Sequence, residues 1–248
     1  MAASTHVRIF DQRTPEDRDR SFLPAAGKSW LLPFYDILTR VAGIRALHER
    51  AVELAGVEPG QTVVDVGCGT GNLSLAMLAA QPNARVTGLD PDAAALRRAA
   101  RKARRRSVTL ALVQGYADRI PADDASLDQV VSSFALHHID DDGRIAFARD
   151  VLRALRPGAR VTVVDFGGSA PDAEDAGHSV RRRHSPVHAI RHLVRPIRSR
   201  VAHSPIVSRN HGNGIVTLLA DAGFGDAREV AHADYRFGRV AFVQATRP

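Results

Sequence analysis

At 248 residues, 44% of them hydrophobic, the chain is long enough for one large globular domain or two small ones. A single cysteine, Cys68, excludes an intrachain disulfide framework, no apolar run approaches the ~20 residues of a membrane-spanning helix, and residues 1–20 lack a signal-peptide core, so a cytoplasmic protein is expected. The formal charge of +7 is localised: residues 178–203 hold seven arginines, five histidines and no acid, which leaves the rest of the chain neutral.

In chain order, residues 1–24 carry alternating charges with Pro15 and Pro24 and read as a mobile arm. Over 29–54, Leu31, Leu32, Tyr35, Leu38, Val41, Leu47 and Leu54 give helical patterning, interrupted at Pro33 and Gly43, as in a helical cap. Strands and helices then alternate. Strands are expected at 62–66, 85–90, 108–114, 127–133 and 160–166, and helices at 72–80, 92–105, 144–155 and 214–222. Such alternation predicts an α/β doubly wound, mostly parallel sheet. Two last strands, 226–231 and 239–244, are expected to add an antiparallel edge and bring the sheet to seven strands. The chain thus divides into an N-terminal arm and cap (1–44) and a main domain (45–248) with a basic insertion at about 170–213.

Within that insertion, Ser185 and Pro186 suit an N-cap and first helical position. Val187, Ile190, Val194, Ile197 and Val201 form an apolar stripe, with Arg191, Arg195, Arg198 and Arg200 mostly off it and Pro196 as a kink. Three readings stay open: a lid over the substrate, peripheral membrane contact through 185–203, or polyanion binding. Only nine Phe, three Tyr and one Trp occur in the whole chain, which disfavours nucleic acid as a partner. His184, His188 and His192 fall at spacings of four, but no carboxylate accompanies them and Pro186 intervenes, so no metal site is expected.

The most informative stretch is Val63-Val64-Asp65-Val66-Gly67-Cys68-Gly69-Thr70-Gly71-Asn72. A β-branched run ends in an acid, three glycines follow on alternate positions, and an Ala/Leu-rich helix opens. Glycine is needed where backbone turns sharply or approaches a ligand. Nineteen residues after Gly71, Asp90 closes a second β run and offers a carboxylate to a ribose. The third glycine comes one position too early for a dinucleotide fingerprint, and no phosphate loop with its lysine is present. Asp65 beside the loop is a poor neighbour for pyrophosphate and suits a cofactor that carries an amino group instead.

These residues resemble the class I S-adenosylmethionine-dependent methyltransferases. Asp65 to Gly71 is similar to that family's first motif, and Asp90 to its ribose-binding acid. Gln114-Gly115-Tyr116-Ala117-Asp118 resembles its adenine-side segment, Leu127 to Phe134 its fourth strand, Leu155-Arg156-Pro157-Gly158 the turn into its fifth, and Asp221-Ala222-Gly223-Phe224 a late turn of its small-molecule members. The likeness covers about 45–245 and lies nearest the ubiquinone/menaquinone C-methyltransferase-like branch. It implies S-adenosylmethionine as cofactor and a small, apolar or aromatic acceptor. Asp65, Gly67, Cys68, Gly69, Thr70 and Gly71 would hold the methionine part and Asp90 and Pro91 the ribose. Tyr116, Ala117 and Asp118 would flank adenine, and Ser133 would shape the pocket near the methyl group. Tyr116 departs from the family, which commonly places Asp or Asn there, so Asp118 is expected to stand in.

The end of the fourth predicted strand, Ser133-Phe134-Ala135-Leu136-His137-His138, supplies candidate bases. Methyl transfer is an in-line displacement in which the protein positions the acceptor, excludes water and, for a weakly acidic acceptor, removes a proton. His138, and next to it His137, can do so. Asp165 ends the following strand on the same rim and is a candidate substrate contact or merely a strand-end acid. A rival reading from another class is a non-catalytic nucleoside-binding protein or partner subunit that uses the Arg-rich segment.

Overall fold

A computed structural model describes residues 7–20, 43–167, 213–235 and 238–248. Elements follow in the order β1 (Val7–Asp11), α1 (Pro15–Asp19), α2 (Ile44–Ala55), β2 (Thr62–Val66), α3 (Asn72–Ala80), β3 (Arg85–Asp90), α4 (Ala93–Arg105) and β4 (Leu110–Gln114). They continue with β5 (Leu127–Ser133), a 3-10 turn (Leu136–His138), α5 (Asp141–Ala154), β6 (Leu155–Phe166), α6 (Gly214–Asp221), β7 (Gly225–Tyr235) and β8 (Gly238–Thr246). The expected insertion up to residue 212, with its basic stripe and histidines, lies outside the described residues, as does the part of the cap from 21 to 42.

The strands form one sheet in the order β1-β4-β3-β2-β5-β6-β8-β7, parallel except where β8 pairs with β6 and β7. This is the doubly wound, mostly parallel arrangement expected, with one strand more than the seven read from the sequence. The addition is β1, which pairs in parallel with β4 from Val7 opposite Leu110 to Asp11 opposite Gln114. Residues 7–20 are therefore not a mobile arm. They complete a sheet edge and then turn through α1, whose Thr14 and Asp17 form a reciprocal capping box around Pro15.

Two apolar layers sandwich the sheet. Leu47 and Ala51 of α2, Leu73 and Met77 of α3, and Leu96, Ala99 and Ala103 of α4 pack on one face. Phe147, Ala148 and Val151 of α5 with Ile215 and Leu219 of α6 pack on the other. Alanines on the inner side of α4 let that helix lie close to the sheet while its arginines point outward. From β2 the chain winds outward through β3 and β4, then returns to the other side of β2 with β5 and β6. The reversal lies between β2 and β5, and open parallel sheets bind ligands at such a point, beyond the carboxyl ends of the strands.

Candidate functional site

A pocket opens at that point. It is walled by the glycine loop after β2, Asp90 to Asp92 at the end of β3, Ala95 of α4, Gly115 to Asp118 after β4, Ser133 to Ala135 and His138 after β5, and Ile44 and His48 of α2.

The glycine loop makes the floor. Gly67, Gly69 and Gly71 all have positive φ, at 73°, 52° and 76°. Two of them are also confined: a Cβ on Gly67 would stand 2.3 Å from the Ala135 Cβ, and one on Gly71 would stand 2.9 Å from the Ala99 Cβ. At Gly69 the same addition meets nothing within 4 Å, so the backbone there faces open pocket. Gly67→Ala should cost roughly 2–4 kcal/mol through backbone strain and overlap, read as a lower urea midpoint.

Both expected acids are in place. The Asp65 carboxylate is buried and accepts from the Ser74 Oγ–H at 2.5 Å. Burial pushes its pKa up to about 7 against the opposing pull of the Ser74 bonds. Asp90 accepts from the Gly69 N–H and the Asp92 N–H, each at 2.8 Å, so loop and acid hold one another. Burial raises its pKa to about 6, with those two bonds opposing. Asp92 caps α4 by accepting from the Ala94 and Ala95 N–H groups.

Cys68 packs its Sγ beneath the loop, where a Cβ on Gly88 would be only 2.7 Å away, and burial pushes its thiol pKa up. The Thr70 hydroxyl and carbonyl accept from Lys102 Nζ at 2.8 and 3.1 Å, and the same ammonium reaches Asn72 Oδ1 at 2.9 Å. Lys102 thus ties α4 to the loop, a role hidden in what reads along the sequence as an Arg/Lys run.

At the β4 wall, Tyr116, Ala117 and Asp118 line the pocket, with Pro91 beside them from the end of β3. The Tyr116 hydroxyl points to the N-terminal segment, donating to the Arg20 carbonyl at 2.6 Å and lying 3.3 Å from that of Asp17. The Arg20 guanidinium lies 4.4 Å from the centre of the Tyr116 ring and pairs with Asp118. Sequence reasoning missed Arg20 because nothing local marks it.

The β5 wall separates the two histidines. His138 lines the pocket, while His137 turns behind it and is held by Asp165, whose Oδ1 is 2.6 Å from Nδ1 and whose Oδ2 accepts the His137 N–H at 3.1 Å. Asp165 also accepts from the Phe166 N–H and is fully buried, so it is not a pocket residue. The two imidazoles pack with ring centres 4.0 Å apart. Burial and the neighbouring His137 lower the His138 pKa to about 4, which keeps it neutral at ordinary pH. His138 Nδ1 and Ser133 Oγ are both buried without a hydrogen-bond partner among the described residues. Phe134 between them has φ of 55°, a strained value for a bulky residue at the end of a strand. His48 of α2, unsuspected in the sequence, faces Phe134 with ring centres 6.5 Å apart, its pKa lowered to about 4 by burial and then by the charge of Lys102.

A family model described as a methyltransferase domain matches residues 63–158. The chain is 30% identical to a demethylmenaquinone methyltransferase of Thermus thermophilus, over 56% of this chain and 63% of that protein. It is likewise 30% identical to the 2-phytyl-1,4-beta-naphthoquinone methyltransferase of Arabidopsis thaliana chloroplasts, over 56% of each. The chain therefore spans less than two thirds of these curated relatives. Among solved structures, a chain of the complex between the Haloferax volcanii Trm112 methyltransferase activator and a putative methyltransferase superposes with a TM-score of 0.62 at 19% identity, covering 91% of this chain and 97% of that one. That last likeness speaks for the fold. Pocket, fold and domain match agree: residues 63–158 match a methyltransferase domain, and the chain is similar to quinone methyltransferases over about half its length.

Proposed function

We propose that the protein transfers a methyl group from S-adenosylmethionine to a small apolar or aromatic molecule. The observation that carries this reading is the charge of the pocket. Among the described residues lining it are five aspartates, Asp65, Asp90, Asp92, Asp118 and Asp140, against one arginine and no lysine. Such a wall repels a phosphate-bearing coenzyme and attracts a nucleoside carrying an ammonium and a sulfonium. The open backbone at Gly69 adds room for that ligand to lie directly on the loop.

In this reading Asp65 and the loop from Gly67 to Gly71 hold the amino-acid part, with Cys68 keeping the loop packed and Thr70 set in place by Lys102. Asp90 receives the ribose hydroxyls. Pro91, Tyr116, Ala117 and Asp118 flank the base. Bound there, the cofactor supplies an electrophilic methyl carbon. The chain's own part is to exclude water with Ile44, Phe134 and Ile139 and to orient the acceptor. Ser133 and His138 offer it two polar atoms that have no partner among the described residues. The neutral His138 imidazole accepts a hydrogen bond from an acceptor hydroxyl and takes up its proton as the methyl group arrives, while Asp165 fixes His137 behind it. The names of the relatives point to a quinol-type ring as the acceptor class.

Titration calorimetry with S-adenosylmethionine and S-adenosylhomocysteine tests the pocket, with micromolar dissociation constants expected. Incubation with unmethylated naphthoquinols and benzoquinols, read by mass spectrometry for S-adenosylhomocysteine and methylated product, tests the chemistry. Binding without turnover on any acceptor favours a non-catalytic nucleoside-binding protein; absence of binding overturns the proposal.

A further inference from the structure

Arg20 is the one arginine, with no lysine beside it, among the described pocket-lining residues, and it arrives from the segment that follows β1 and α1. Its position is built rather than incidental. β1 pairs with β4, and the Gln12 N–H continues that ladder to the Gln114 carbonyl at 2.9 Å. The capping box of α1 then fixes the turn that delivers Arg20, and Asp17 of α1 pairs with Arg119 at 3.2 Å. The Tyr116 hydroxyl closes the arrangement on the Arg20 carbonyl. Residues 114–119, the stretch that walls the base side of the pocket, are thus held along their length by residues 7–20.

We propose that Arg20 sets base recognition in this pocket by fixing the Asp118 carboxylate as an acceptor for the exocyclic amino group of adenine. The inference rests on the cofactor reading above. A partly exposed carboxylate at the end of a loop gains most from water and samples several rotamers. Paired to a guanidinium that is itself stacked on Tyr116, it is confined to one. The guanidinium also lies near the start of α5, where a Cβ on Gly143 would be 3.8 Å from its Nη2, so Arg20 spans from the β4 wall to the α5 wall. A carboxylate held in this way rewards an amino group and repels a carbonyl oxygen at the same place. Arg20 acts through Asp118 and is a positioning residue.

The test compares S-adenosylhomocysteine with S-inosylhomocysteine, in which the amino group is replaced by a carbonyl, by calorimetry on the full chain. The native protein should prefer the adenosyl ligand. Arg20→Ala should weaken adenosyl binding about tenfold and leave inosyl binding unchanged or improved, so that discrimination drops about tenfold or more. Arg20→Lys, which keeps the charge without the planar fork, should restore part of the preference. Asp118→Asn should reverse the preference, because an amide can donate to the carbonyl. Should Arg20→Ala loosen the N-terminal strand, Arg20→Gln provides the same reading with the aliphatic stem kept and the charge removed. Equal weakening of both ligands would reduce Arg20 to a brace for the strand and overturn the proposal, as would no change in either. If the native protein binds neither ligand, the cofactor reading fails first, and the two failures are distinct.

Discussion

Asp90→Ala is expected to weaken S-adenosylhomocysteine binding by roughly 100-fold or more. In the proposed binding mode two hydrogen bonds from ribose hydroxyls to an ionised carboxylate would be lost, each worth about 1.5–3 kcal/mol. The brace between Gly69 and Asp92 goes with them, so the loop that carries the amino-acid part loosens as well. Asp65→Asn should be milder, since the amide oxygen still accepts from Ser74 while the charge is gone. The same two acids make cofactor affinity pH-dependent. With pKa values of about 7 for Asp65 and about 6 for Asp90 in the ligand-free pocket, both must ionise, Asp65 to meet the ligand's ammonium group and Asp90 to accept fully from the ribose hydroxyls. Affinity should therefore rise from pH 5.5 to pH 8, by more than about tenfold per pH unit at the acid end where both groups still hold protons. Stability without ligand runs the other way. The folded protein holds protons that the unfolded chain has released, so these groups lower stability as pH rises from about 4 to about 7. The increase in melting temperature on adding S-adenosylhomocysteine should hence be larger at pH 8 than at pH 6. A pH-independent increase would mean that neither acid meets the ligand's charge.

Strands β2, β3 and β5 and helix α3 end where the sequence places them, because β-branched runs bounded by glycine or acid leave little freedom in the boundaries. β4 starts two residues later than its apolar run, at Leu110, after Ser107 turns with φ of 53°. β1 was illegible for a physical reason. It is a five-residue edge strand whose last four residues, Ile9 and Phe10 among them, remain exposed, so no alternation of buried and open positions betrays it. Much the same holds for the site. Asp65, the glycines and Asp90 were readable because a strand, a turn and a helix dictate their spacing. Arg20 and His48 of the pocket wall, and Lys102 that braces the glycine loop, were not, since each comes from an element whose local pattern only says helix or turn. Arg20 and Asp118 lie 98 residues apart in the chain and meet only because β1 closes on β4. The choice between His137 and His138 likewise needed the 3-10 turn, which sends one ring to Asp165 and leaves the other on the pocket wall.

His138→Ala is expected to lower kcat about 100-fold on a hydroxyl-bearing acceptor, with S-adenosylhomocysteine affinity within about twofold of native. The split follows from geometry: His138 stands on the wall after β5, whereas Asp90 and Asp118 stand on the β3 and β4 walls. With a pKa of about 4 the imidazole is neutral throughout the range in which cells work, so its contribution to rate should be flat from pH 6 to pH 8. His138→Gln, which keeps a hydrogen-bond acceptor but cannot carry the proton away, should recover positioning without the proton transfer and fall between the two. A stability measurement separates this role from packing. Because burial depresses the His138 pKa, the unfolded chain binds the proton more tightly, and stability from this group is lost as pH falls from about 6.5 towards 4. His48 contributes in the same direction for the same reason. Urea denaturation at pH 7.5 and pH 5 should then show His138→Ala losing less stability on acidification than the native chain. If His138→Ala leaves kcat unchanged, the imidazole only fills the wall, and the acceptor must be oriented from the side of His48.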